Sequence, residues 1–146
     1  DGYVRSSNLM HSRCLFLHEA GCQLDGIDRL EPPRGDRRRG RDVPFAIHFH
    51  LSPDVACSPG QDANTAELVL GDGSVWRFTA EGATLSFEDS VYYADFSGPR
   101  RTLQLVLRGS CFGRSEVRWS LALGTAAEAP EATPLSPPPP LPGRKA

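Results

Sequence analysis

Apolar and polar positions alternate strictly along residues 43–51, Val-Pro-Phe-Ala-Ile-His-Phe-His-Leu. Side chains of a β-strand point to opposite faces in turn, so Phe45, Ile47, Phe49 and Leu51 share one face and Ala46, His48 and His50 the other. The first face has to be buried. The second carries two imidazoles about 7 Å apart, close enough to share a ligand. Pro44 suits the start of a strand, where a missing N–H costs little, and Pro53-Asp54 ends it. The remaining segments read as organised around this strand.

Similar alternation recurs at regular spacing. Leu9–Leu17 places Leu9, His11, Arg13, Leu15 and Leu17 on one face and Met10, Cys14 and Phe16 on the other. Apolar residues on both faces predict a central strand. Cys22–Leu30 follows, with Gly26 in mid-pattern predicting a bulge. After a break come a brief strand at Asp54–Ser58 and a hairpin of Ala66–Leu70 and Ser74–Thr79 around Gly71-Asp72-Gly73. Further extended pieces are Ala83–Phe87, Val91–Asp95 and Arg101–Arg108, and alternation over Val117–Leu123 closes the series. No window holds a capped 3.6-residue period. The expected fold is therefore all-β, an antiparallel sandwich of roughly 8–10 strands.

Composition sets the boundaries. From residue 124 the chain is Ala, Glu, Pro, Thr and Ser with an unbroken run at Pro137–Pro140. A segment of this kind cannot offset its ordering entropy and is expected to be a disordered tail. The expected division is a sandwich at 1–123 and a tail at 124–146. The chain begins in mid-pattern at Asp1-Gly2-Tyr3 and reads as the C-terminal piece of a longer polypeptide. No apolar run approaches the ~20 residues that span a bilayer. A net charge of −2 argues against nucleic-acid binding by electrostatics.

Candidate chemistry is sparse. Residues 31–42 hold Arg34, Arg37, Arg38, Arg39 and Arg41, either a solvated loop or an arm that meets a polyanion such as a uronic sugar. Cys14 and Cys22 either pair as a disulfide or are independent thiols; no CxxC pair supports a zinc ribbon. His48 and His50 form a His-x-His pair whose third ligand would be His11 or Asp54. His18, beside Glu19, reads as exposed. Adjacent Glu88 and Asp89 point to opposite faces and make a poor acid–base pair. Tyr92 and Tyr93 either pack or stack on sugar. There is no Gly-x-Ser-x-Gly elbow, so the residues alone describe a β-sandwich with no self-contained active site.

Several stretches in order resemble the C-terminal β-sandwich of heparinase II/III-like proteins, a bacterial family of polysaccharide lyases. They are Asp1-Gly2-Tyr3, His11-Ser12-Arg13 leading into Cys14–Leu17, Gly26–Leu30, Phe45–Val55, Trp76-Arg77-Phe78 and Glu88–Leu107, and together they cover nearly all of 1–123. The resemblance implies a parent enzyme with an N-terminal helical toroid as this domain's partner, acting on anionic, uronic-acid-containing polysaccharide by β-elimination. It implies that the catalytic Tyr/His pair lies upstream of Asp1, leaving this chain with no catalytic residue. Some members hold a structural zinc in the sandwich; His11 is the position matched to one ligand, its partners expected before Asp1. A Gram-negative setting follows, with periplasm and cytoplasm both open. The rival reading is a stand-alone carbohydrate-binding or interaction module.

Overall fold

A computed structural model describes residues 9–33, 42–93 and 98–124. The described residues form nine strands and no helix: β1 (Met10–Leu17), β2 (Gln23–Glu31), β3 (Asp42–His50), β4 (Ala56–Pro59), β5 (Thr65–Val69), β6 (Val75–Glu81), β7 (Thr84–Tyr92), β8 (Arg100–Phe112) and β9 (Ser115–Leu123). They build two antiparallel sheets, one of six strands in the order β1-β2-β9-β6-β5-β4 and one of three in the order β3-β8-β7. The last strand, β9, enters the middle of the large sheet between β2 and β6, which ties the two ends of the domain together.

The apolar faces meet between the sheets. Phe45 and Ile47 of β3 and Leu105 and Leu107 of β8 pack against Leu30, Leu68, Phe78, Val117 and Trp119 of the large sheet. Phe49 stands edge-on to both Phe78 and Trp119, with ring centroids 5.2 and 5.0 Å apart. Such edge-to-face contacts add to the area term that drives burial. Gly73, at φ 83°, closes the predicted β5–β6 hairpin, a conformation that suits glycine.

Four expectations need correction. The strand at residues 43–51 has the buried face assigned to it but lies at the edge of the small sheet; the thirteen-residue β8 is its centre. The first strand is not central. β1 is the edge of the large sheet and exposed throughout, with Leu15, Phe16 and Leu17 each more than half accessible. Gly26 makes no bulge, since pairing runs unbroken on both sides of it. The pieces expected at Ala83–Phe87 and Val91–Asp95 join, within the described residues, into the single strand β7 (Thr84–Tyr92) through the polar run Glu88-Asp89-Ser90, residues 94 and 95 lying outside the described residues. The arginine-rich stretch at 34–41 and the tail beyond Gly124 lie outside the described residues.

Candidate functional site

Alternation on β2 turns Leu24, Gly26, Asp28 and Leu30 inward, so one carboxylate sits in phase with the apolar face. Asp28 is fully buried. Its register partner on β1 is Arg13, and His11 lies two residues away on the same face. Arg13 grips the carboxylate bidentately, Nε donating to Oδ1 at 2.7 Å and Nη2 to Oδ2 at 3.1 Å. His11 Nε2 lies 2.5 Å from Oδ1. The Trp119 indole N–H donates to Oδ2 at 2.8 Å. An ionised carboxylate offers about four lone-pair sites, and all four are engaged.

Gly26 makes this arrangement possible. It pairs with Trp119, and a Cβ built at residue 26 would fall 2.1 Å from the indole. The glycine therefore leaves a bed in which the ring lies flat and reaches Asp28. Ala80, opposite Trp119 on the other side, keeps that flank small. The Arg13 guanidinium in turn lies over Phe49 and Trp119, 5.1 and 5.6 Å from the ring centroids. Burial pushes the Asp28 carboxyl up, but the bonds from Arg13, His11 and Trp119 outweigh it and hold the group below its ordinary range.

A second feature lies on the opposite side of the large sheet. A groove of about 640 Å³ crosses Phe16, Asp25, Ile27, Thr79, Arg118 and Ser120. Gln23, His18 and Ser120 donate to Asp25 and lower its pKa to about 2. The His18 bond to Asp25 is 2.8 Å, so this histidine is exposed as expected and pairs across the hairpin.

The predicted His48–His50 pair sits on the outer face of the small sheet, its rings stacked 6.2 Å apart. His48 Nδ1 donates to Gln104 at 3.2 Å and His50 shares a 2.7 Å hydrogen bond with Ser90. Neither proposed third ligand joins them: His11 belongs to the other sheet, and Asp54 pairs with Arg100. Among the described residues no group of three or more His, Cys, Asp and Glu is placed to hold a metal ion. All four cysteines are free, and burial raises the Cys57 thiol. Glu88 turns to Arg108, away from any partnership with Asp89. Tyr92 is half-buried and Tyr93 exposed. Sequence reasoning missed Asp28 and Trp119. The available signal was a carboxylate in phase with Leu24 and Leu30.

A match to the family described as heparinase II/III-like, C-terminal, covers residues 1–120. Over 128 residues the chain is 30% identical to FtsZ-localized protein C of Caulobacter vibrioides (strain NA1000 / CB15N), covering 83% of this chain and 22% of that protein. Among solved structures, heparan sulfate lyase HepC from Pedobacter heparinus is similar with a TM-score of 0.67 at 16% identity, over 85% of this chain and 19% of that one. A heparinase III gene product is similar with a TM-score of 0.62 at 11% identity, over 80% of this chain and 18% of that one. At those identities the likeness is one of fold. The chain spans about a fifth of the length of each of these relatives.

Proposed function

The chain belongs to the heparinase II/III-like C-terminal family, and from that membership we propose that it is the supporting sandwich of a polysaccharide lyase. On this reading the parent protein cleaves uronic-acid-containing glycans by β-elimination, and the domain itself is inactive. The observation that carries the reading is the family match over residues 1–120 in a chain about a fifth as long as its relatives, and the placement of the four histidines accompanies it. His11 and His18 are bound to Asp28 and Asp25, and His48 and His50 to Gln104 and Ser90. General acid–base catalysis needs groups that converge on a substrate proton, and these imidazoles are divided between the two sheets, His11 and His18 at the large one and His48 and His50 on the outer face of the small one. The exposed apolar residues of β1, Leu15, Phe16 and Leu17, are suited to packing against the remainder of the longer chain, a helical toroid by family resemblance.

The test is the ultraviolet absorbance of the unsaturated uronate product, with heparin, heparan sulfate and alginate as substrates. The domain alone is expected to give none, and the longer parent protein to give a rise. A rise with the domain alone would overturn its supporting role.

One observation favours a second reading, a binding or interaction module. The curated relative at 30% identity is named for localisation with FtsZ and not for lyase activity. The groove over Phe16 and Asp25 offers an aromatic face beside polar groups, a surface suited to a partner or a neutral glycan. No product from either the domain or its parent, together with co-sedimentation of the domain with FtsZ filaments, would favour this reading.

A further inference from the structure

The zinc that the family resemblance implies at His11 meets a poor donor set in this chain. A structural zinc takes four ligands, usually Cys, His or carboxylate. His11 has Asp28 beside it, and the third group against that carboxylate is itself a cation. The Arg13 guanidinium is permanently charged and bidentate, and its stacking over Phe49 and Trp119 fixes its place. Trp119 takes lone-pair space on Oδ2. A divalent ion approaching Asp28 would have to displace Arg13 and then sit against its charge.

We propose that Arg13 stands in for a metal ion, so that the β1–β2–β9 junction is held by an internal cation and takes no zinc. The guanidinium neutralises the buried carboxylate, as a metal would, and ties edge strand β1 to the core through the aromatic pair. Unlike a metal, it is covalently part of β1 and cannot be removed by chelation. The centre is thus independent of metal supply. Arg13 is a structural residue on this account, and it specifies which cation the centre accepts.

The test uses the whole chain in a His48→Ala/His50→Ala background, which removes the exposed imidazole pair as a competing zinc site. The protein is equilibrated with zinc, desalted and analysed for metal, and its melting temperature is read with zinc and with EDTA. With Arg13 present, zinc is expected below about one ion per ten chains, with no shift in melting temperature from either reagent. One zinc per chain, lost to EDTA together with thermal stability, would overturn the proposal. Arg13→His, which puts a second imidazole opposite Asp28, is expected to gain a zinc-dependent rise in melting temperature. Failure of the folded variant to respond to zinc would overturn the equivalence of guanidinium and metal at this position.

Discussion

Two strands of this domain each carry polar residues at alternate positions, and the structure uses them in opposite ways. On β3, His48 and His50 face solvent on the outside of the small sheet, stack on each other and bond to Gln104 and Ser90. On β1, His11 and Arg13 keep side chains 26% and 32% exposed but turn toward the core side and converge on Asp28 of the neighbouring strand. The two motifs are equally conspicuous along the chain. What separates them is the register partner. His48 pairs with Val106, whereas Arg13 pairs with a carboxylate that has no access to water. Side-chain spacing brings groups near one another, and burial of a charge decides whether the contact is strong.

Substitution tests that contrast from its strong end to its weak one. Asp28→Asn removes the charge that balances Arg13 and turns an amide N–H₂ toward existing donors. Breaking a buried pair in this way is expected to cost about 3 kcal/mol or more of unfolding free energy, measured by denaturant titration. Gly26→Ala should follow at about 1–3 kcal/mol, because its methyl displaces the Trp119 indole and with it a bond to Asp28. Near-ultraviolet circular dichroism of the tryptophans should change in that variant.

Acid titration provides a smaller effect. Asp25 falls from an ordinary 3.8 to about 2, held down first by Gln23, then His18 and Ser120. A carboxyl whose folded pKa is depressed contributes stability above its unfolded value and loses it as pH falls through the folded one. Asp25→Asn should therefore lower stability modestly at neutral pH, the site being solvent-screened, and flatten the acid limb between about pH 4 and pH 2, with variant and wild type converging below it. Smallest of all, His48→Ala/His50→Ala is expected to stay within about 0.5 kcal/mol of wild type, the range of ordinary surface changes.

Much of this was legible along the chain. The alternation at Phe45, Ile47, Phe49 and Leu51 reports burial directly, and Gly71-Asp72-Gly73 marks a hairpin whose turn chemistry is local. Where the reading failed, the deciding contact was distant in sequence. Apolar residues on both faces of β1 imitate a central strand, although Leu15, Phe16 and Leu17 are exposed at an edge. Gly26 imitates a bulge because its reason, the Trp119 ring, lies on a strand more than ninety residues away, as the Trp119–Asp28 separation of 91 indicates. The candidate site was half legible. His11 stands out along the chain, but the family resemblance places its partners before Asp1, while Asp28 lies in phase with Leu24 and Leu30, the signature of a buried charge.

The Asp28 centre holds β1 to the rest of the sandwich. Amide hydrogen exchange on wild type and Asp28→Asn tests this strand by strand. The β1 amides that bond to β2 are expected to lose protection in the variant, while β3, β7 and β8 in the small sheet keep theirs. Unchanged protection along Met10–Leu17 would contradict the account, because the strand would then be held by its backbone ladder alone.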